Sequence, residues 1–260
     1  MKTWSNVSLI LAFAFSIYLS MALKVPELEY YQLKIYHLKN DAQLRRVEGY
    51  LQNAFLPGMH KTGITNIGVF KPVENDTSDL RIYVLVPYPS MAEIPFVEES
   101  MFRDKKFLAA AGDYVNAPHN DPPYERLEVI LLKAFSHQPR LQTPELKGPR
   151  DQRIYELRSY EGHTEKIFQN KVKMFNEGGE VALFKRLGFN AVFYGEVIAG
   201  SRMPNLMYMT TFEDKASRDE HWKAFGADPE WKKLSSMPEY QNNVSKINIH
   251  FLHPTSYSDY

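Results

Sequence analysis

The stretch that most constrains the fold runs from residue 153 to residue 212, where strand-like and helix-like patterns follow one another in a fixed order. It opens with a predicted strand, Arg153–Glu161, in which successive side chains point to opposite faces. Apolar residues then recur at helical spacing on either side of Gly178-Gly179, a pair that is costly inside a helix and permissive in a bend. Two further strands, predicted over Phe189–Ile198 and Asn205–Phe212, form a hairpin.

These strands are apolar or aromatic on both faces. In the first hairpin strand the pattern predicts one face made of Phe189, Ala191 and Phe193 and an opposite face made of Val192, Tyr194 and Ile198. An antiparallel sheet with one solvated face would instead alternate apolar with polar residues. Helices can cover one face, so the second face must meet another sheet or enclose a ligand.

Three segments of this half carry a resemblance to a known family. They are NEGGEVALFKRLGF, YGEVIAGSRMPNLMYMTTFED and HWKAFGADPEWKKL. From about Arg153 to the C-terminus the chain resembles the NIPSNAP proteins, which are members of the dimeric α/β-barrel superfamily. The resemblance implies a ferredoxin-like βαββαβ unit whose open sheet face packs against a second such unit.

The first half of the chain repeats the same order of elements. The predicted elements are a strand over Tyr30–Leu38, a helix over Asp41–Phe55, a hairpin of Ile64–Pro72 and Leu80–Pro87, a helical stretch over Met91–Ala111 and a strand over Tyr124–Phe135. A nearly constant offset relates local matches in the two halves, which indicates duplication rather than a solenoid. One match sets Ile82-Tyr83-Val84 against Met207-Tyr208-Met209, so Tyr83 and Tyr208 are both predicted to point inward.

The predicted fold class is therefore α+β, with two tandem ferredoxin-like βαββαβ units packed sheet to sheet as a fused dimeric α/β barrel. The predicted boundaries are 1–22 for a signal peptide, 27–137 for the N-terminal unit, 138–151 for a proline-rich polar linker and 152–260 for the NIPSNAP domain.

The first residues have the pattern of a secretory signal. Lys2 precedes an apolar run, Val7–Leu19, and Ser20-Met21-Ala22 fits a small-x-small cleavage site. The run is shorter than the roughly 20 residues of a membrane-spanning helix. We expect cleavage before about Leu23 and a periplasmic or secreted protein, the alternative being an uncleaved anchor that would hold the chain at a membrane.

Composition and the absence of certain motifs exclude several classes of function. Acidic and basic residues number 31 each, so no basic surface for nucleic acid is expected. The chain has no cysteine, which excludes disulfides, thiolate chemistry and a lipid-modified bacterial lipoprotein. It also has no HExxH, GxSxG or phosphate-binding GK motif, and the predicted site contains no metal.

The candidate ligand-binding residues lie on the sheet and last helix of the second half. They are Arg158, Tyr160, Phe193, Tyr208, His221, Trp222 and Trp231. An apolar pocket with a few convergent polar groups has this composition. So does the ordinary core of a sheet that is buried on both faces.

Two functions follow from these observations and the resemblance. The first is an exported protein that binds a small apolar or aromatic ligand, or a protein partner, through the barrel, without a cofactor. The second is a haem-dependent or cofactor-independent oxidoreductase resembling monooxygenases, as some members of the superfamily are. Self-association into a homo-oligomer stays open.

Overall fold

The computed structural model describes residues 27–74 and 78–260, and in this part of the chain the strands close into one antiparallel barrel. The strands are β1 (Tyr30–Leu38), β2 (Gly68–Pro72), β3 (Leu80–Tyr88), β4 (Arg126–Ala134), β5 (Ile154–Glu161), β6 (Phe193–Ala199), β7 (Asn205–Phe212) and β8 (Lys246–Pro254). Their order around the barrel is β1-β3-β2-β8-β5-β7-β6-β4, and β4 pairs again with β1. The predicted leader and its cleavage site lie outside the described residues.

Helices cover the outside of the barrel. They are α1 (Asp41–Tyr50), α2 (Leu56–Lys61), α3 (Glu93–Arg103), α4 (Lys105–Ala110), α5 (Gly112–Val115), α6 (Glu165–Asn176), α7 (Glu180–Arg186), α8 (Lys215–Ala227) and α9 (Pro229–Ser236). A π-helical turn, Leu51–Phe55, joins α1 to α2, and a 3-10 turn, Pro238–Tyr240, follows α9. Within the described residues, no helix combines the length and the apolar character that crossing a membrane requires.

Each half has the ferredoxin-like strand order, which confirms the predicted fold class. The first half contributes β4-β1-β3-β2 and the second half contributes β8-β5-β7-β6. Hydrogen-bonded pairing also joins the two sheets at both seams, where Phe70 is opposite Pro254 and Ala134 is opposite Gly195. The halves therefore share edges as well as faces, so each sheet covers the free edges of the other.

Apolar side chains fill the barrel interior. The buried members are Tyr31, Leu33, Ile35, Phe70, Tyr83, Leu85, Ile130, Leu132, Ala134, Tyr155, Leu157, Val192, Phe193, Val197, Met207, Met209, Leu252 and Tyr260. At one end the linker residues Leu141 and Leu146 pack against this core, and the ring of Tyr260 stacks on Tyr155 with centroids 6.2 Å apart. The linker and the C-terminus thus close one end of the barrel, and access from solvent is left at the other.

The structure corrects two predictions about which face a residue occupies. β6 begins only at Phe193, so Phe189 lies in the core beneath the helices, while Val192 and Phe193 both reach the barrel interior. Tyr83 points into the barrel, but Tyr208 lies beneath the helices, so the shared inward position predicted for the two is wrong. The sequence match was shifted by one residue, and in a strand a one-residue shift reverses the face of every side chain.

Candidate functional site

Glu156 is the centre of a buried polar network between the second sheet and α8. Its side chain is fully shielded from solvent, and its carboxylate accepts hydrogen bonds from Arg158 Nε at 2.6 Å, Arg218 Nε at 2.8 Å and Trp222 Nε1 at 2.8 Å. Arg218 and Trp222 are four residues apart on α8, so both face the strand. Alternation along β5 places Glu156 and Arg158 on the same side of the sheet.

The network continues from Arg158 to two tyrosines. Arg158 Nη1 donates to the Tyr160 hydroxyl at 3.0 Å, and the hydroxyls of Tyr160 and Tyr208 are 2.8 Å apart. The guanidinium of Arg158 also lies 3.6 Å from the centroid of the Trp222 ring, which is cation–π geometry. Each charge in this cluster is therefore matched by a partner inside the protein.

The ionisation of the central pair follows from these contacts. Burial alone would raise the pKa of Glu156, but the hydrogen bonds and charges of Arg218 and Arg158 outweigh it and hold that pKa below its ordinary value. Burial alone would lower the pKa of Arg158, and the oxygens of Tyr208, Tyr160 and Glu156 reverse the effect and raise it. Both groups are thus charged at neutral pH.

The structure brings four of the predicted site residues together, namely Arg158, Tyr160, Tyr208 and Trp222. The other three lie apart from them. Phe193 points into the barrel with its ring 5.3 Å from that of Tyr31, and Trp231 packs on Phe225 at 4.3 Å. His221 lies farther along the helix layer, against Phe189 and Phe212.

The surroundings of His221 do not fit an axial haem ligand. Its Nδ1–H donates to the backbone oxygen of Ser217 at 2.7 Å, and its Nε2 faces Gly188, where an added Cβ would lie 3.4 Å away. The ring is packed at 5.9 Å from Phe189 and 5.4 Å from Phe212. An iron ligand needs its free nitrogen to point into a cleft that admits a flat macrocycle. Nε2 of His221 instead faces the backbone at Gly188, so no step is assigned to haem.

Sequence reasoning missed Glu156 and Arg218, the two residues that complete the network. A signal for Glu156 was present, because Glu156 and Arg158 occupy successive positions on one face of a strand with no solvated face. Two such charges need internal partners when they are buried. The partner Arg218 could not be identified, since α8 carries charges on several sides and only the packing shows which side meets the sheet.

An open cavity lies instead in the helix layer of the first unit, between α2, α3 and α4. Its volume is about 730 Å³, and one side opens to solvent. Its apolar wall is formed by Phe96, Val97, Met101 and Phe107. Charged side chains of Lys61, Glu93, Arg103, Asp104 and Lys105 also line it.

Local structure explains how the cavity is built. Asp104 caps α4 by accepting from the Lys106 N–H at 2.9 Å, and it pairs with Lys61 of α2 at 2.6 Å. Gly58 lets α2 approach closely, because an added Cβ would lie 3.1 Å from both Met101 and Phe107. A second hollow of about 380 Å³ shares Gly58, Lys61, Asp104 and Phe107 with this cavity. The π-helical turn that leads into α2 is a feature often found at functional sites.

The sequence of α3 contains a signal for this cavity. Ile94, Val97 and Met101 form the buried stripe of α3, whereas Phe96 and Phe102 fall off that stripe and are 69% and 53% exposed. Large aromatic residues on the polar side of a helix indicate a surface that meets something apolar. In the described residues, no group of three His, Asp or Glu side chains is arranged to hold a metal ion.

Together, the closed barrel and its two ferredoxin-like units define a fused dimeric α/β-barrel protein. The family model named NIPSNAP matches residues 155–259, which make up most of the second unit. No curated protein matches the chain.

Three solved structures share the whole architecture. A monooxygenase-like protein of Lactobacillus acidophilus NCFM aligns with a TM-score of 0.57 at 11% identity, covering 88% of this chain and 94% of that one. A monooxygenase-like protein of Fusobacterium nucleatum aligns at 0.54 and 8% identity, covering 88% and 93%. An anthrone oxidase-like protein aligns at 0.50 and 9% identity, covering 90% and 94%. At these identities the likeness concerns the fold alone.

Proposed function

We propose that this protein binds a small aromatic or apolar ligand that carries an acidic group, in the cavity of the first unit. The observation that carries the proposal is the cavity itself, whose volume of about 730 Å³ falls within the range of ligand pockets, about 300–1,000 Å³. The side chains around Arg158 contact one another closely, which supports placing the ligand in the first unit instead.

The apolar wall supplies the attraction. Phe96 is 69% exposed, while Val97, Met101 and Phe107 beneath it are buried. A ligand ring laid on this wall would cover Phe96, and removing such a side chain from water contributes about 1–2 kcal/mol.

The rim supplies the preference for an acid. Lys61 is paired with Asp104 and Arg103 with Glu99, but among the described residues Lys105 has no carboxylate partner. An acidic group on the ligand would give Lys105 a partner at the edge of an apolar site, where charge fixes orientation more than it adds affinity.

Binding is favoured over oxidation by the side chains available. The cavity lining contains Lys, Arg, Asp and Glu but no histidine or tyrosine, and its acid Asp104 is engaged by Lys61 and by the N-terminus of α4. The oxidoreductase alternative is supported by fold likeness alone.

The test is a fluorescence titration with 8-anilinonaphthalene-1-sulfonate, an aromatic probe that bears a sulfonate. We expect saturable binding of one probe per chain, abolished by Ser100→Trp, which fills the cavity from an exposed position on α3. Ser236→Trp, on an exposed position of α9 in the second unit, is the matched control and should bind like wild type. Lys105→Gln should weaken binding several-fold.

Equal binding by wild type and Ser100→Trp would place the probe elsewhere and overturn the proposal. Non-saturable binding in all variants would do the same. The exposed side chains of Phe96 and Phe102 on α3 would then be a surface for a protein partner.

We further propose that the chain is exported, on the basis of Lys2, the apolar run Val7–Leu19 and the Ser20-Met21-Ala22 site. N-terminal sequencing of the protein from its own host should return a start at about Leu23. Recovery of Met1 would contradict a cleaved signal.

A further inference from the structure

The open end of the barrel contains a polar cleft that is separate from the cavity of the first unit. Its inner part has a volume of about 60 Å³ and continues into an outer hollow of about 160 Å³. The two parts share Arg81, Tyr83 and His250. A space of 60 Å³ admits a few water molecules or one small polyatomic ion.

Most of the ionisable groups around this cleft are paired with one another. His37 lies between two carboxylates, with Nδ1 at 2.9 Å from Asp79 and Nε2 at 3.0 Å from Glu128. Arg81 donates to Asp79 through Nε at 2.8 Å and also through Nη2. These contacts occupy the acids nearest the cleft, and the remaining acid, Glu74, lines only the outer hollow.

Arg202 differs from the other cationic groups of the cleft in its lack of an ion-pair partner among the described residues. It lines the inner cleft from the loop between β6 and β7. Its backbone φ of 62° is in the left-handed region, which is uncommon for a residue other than glycine. Residues in such conformations cluster at functional sites.

Two buried polar side chains complete the cleft. Ser159 and Asn205 are 4% and 2% exposed, and Ser159 Oγ donates to Asn205 Oδ1 at 3.0 Å. This bond fixes the orientation of the Asn205 amide and leaves its Nδ2 group as a donor to the cleft.

His250 is the titratable group at the junction of the inner and outer parts. Its ring is 5.8 Å from that of Tyr83. Burial lowers its pKa from the ordinary value, and the charges of Arg81 and Arg202 lower it further, so the ring is neutral at neutral pH. An anion placed beside Arg202 would offset that charge and favour the protonated ring.

We propose that this cleft binds a small monoanionic carboxylate, held by Arg202 and the Asn205 amide, and that His250 takes up a proton when the anion binds. A single unmatched cation accounts for one negative charge. A dianion such as phosphate is disfavoured because Glu128 and Glu74 lie within the same cleft system. Ser201 and Arg202, which line the cleft, are exposed to solvent, so the anion can reach the cleft from outside.

The experiment is an acetate titration at constant ionic strength, followed through the histidine ring resonances of the full chain. The His250 signal is assigned by its loss in His250→Gln. Acetate should move this signal saturably and raise the pKa of His250. By reciprocity, acetate affinity should rise as pH falls toward that pKa.

Arg202→Gln should weaken acetate binding about tenfold. Arg45→Gln removes the same charge at an exposed position of α1 that does not line the cleft, and should leave binding unchanged. Inorganic phosphate at the same ionic strength should bind more weakly than acetate.

Equal acetate affinity in the Arg202→Gln and Arg45→Gln proteins would overturn the proposal. A His250 signal that acetate does not move would also overturn it. Tighter binding of phosphate would reject the monoanion assignment. The cavity of the first unit is tested by a different probe and different variants, so either proposal can fail alone.

Discussion

The helix layers of the two units differ sharply although their sheets have the same topology. In the second unit the layer is closed: Phe175, Phe184 and Tyr208 pack ring against ring, and two ion pairs are buried among them. In the first unit the corresponding layer is open, with a cavity of about 730 Å³ and a Phe96 ring that is 69% exposed. One topology thus supports both a sealed core and a pocket.

The difference shows what the family motifs specify. The segment Glu177–Glu180, which belongs to the motif NEGGEVALFKRLGF, places Glu180 where it pairs with Lys171 at 2.9 Å. Both side chains are buried. Gly178 is required in the preceding turn, because an added Cβ would lie 2.5 Å from the backbone oxygen of Met174. These motif residues stabilise a packed layer. In the first unit the ion pairs that hold α3 and α4, Lys34–Glu98 and Lys61–Asp104, each have a solvent-exposed member, so that layer is less tightly packed.

The largest effect is expected from separating the two units. Residues 151–260 expressed alone should dimerise or aggregate, because the barrel face of that sheet and the edges of β6 and β8 would be uncovered. Size-exclusion chromatography and chemical unfolding of the isolated half, beside the intact chain, give the measurement. A soluble monomer that unfolds cooperatively would show that the interface between the units is dispensable.

The next largest effect is expected from removing one carboxylate from an ion pair in each helix layer and comparing the two losses of stability. Glu156→Gln leaves Arg158 and Arg218 without their carboxylate in a buried site and should cost about 3–5 kcal/mol of unfolding free energy. The matched change in the first unit, Glu98→Gln, breaks the pair with Lys34, in which the Glu98 side chain is 43% exposed, and should cost less than about 1 kcal/mol. Urea unfolding of both variants measures the contrast. Equal losses would mean that the two layers are equally tight.

The loss of stability in Glu156→Gln should depend on pH, because the carboxylate of Glu156 titrates. The pKa of Glu156 in the folded protein is below its ordinary value of 4.5, so the unfolded chain binds the proton more readily. The stability difference between wild type and Glu156→Gln should therefore be constant above about pH 4.5 and shrink as pH falls through the lowered pKa. Unfolding curves at several pH values test this. A difference that grows in acid would contradict the assigned direction.

The smallest effect concerns single hydroxyl groups. Tyr208→Phe removes the 2.8 Å contact with Tyr160 and should cost about 0.5–1.5 kcal/mol without changing probe binding in the first unit. Tyr114→Phe removes a 3.5 Å contact with Tyr36 and should cost less, because that bond is long. Thermal unfolding and the fluorescence titration are run on both. Weaker probe binding by Tyr208→Phe would return the ligand site to the second unit.

Much of the fold could be predicted because it depends on local periodicity. The strand predicted over Tyr30–Leu38 and the one over Asn205–Phe212 have the bounds found in the structure. The lack of a polar face on the second sheet predicted that this face meets another sheet or encloses a ligand, and in the structure it meets the sheet of the first unit. Element ends were less accurate, since the stretch predicted as a strand from Phe189 pairs as β6 only from Phe193.

The site could be predicted only in part. Alternation placed Arg158 and Tyr160 on one face, and the structure joins them to Tyr208 and Trp222. Whether such a group surrounds a ligand or fills its own space depends on how closely α8 approaches the sheet. That distance is set by contacts between residues far apart in the chain, and periodicity contains no information about it.

The sequence by itself determined the α+β class, the two tandem units, the NIPSNAP relationship of the second unit and the need for two sheets to face each other. These features follow from side-chain period, turn residues and local motifs. Only the tertiary structure decided that the barrel is filled and closed at one end, that the polar residues of the second unit satisfy one another, and that a cavity of about 730 Å³ lies in the helix layer of the first unit. Cavities and buried ion pairs are properties of packing between distant segments, where a shift of one residue or a few tenths of an ångström decides whether a space is filled.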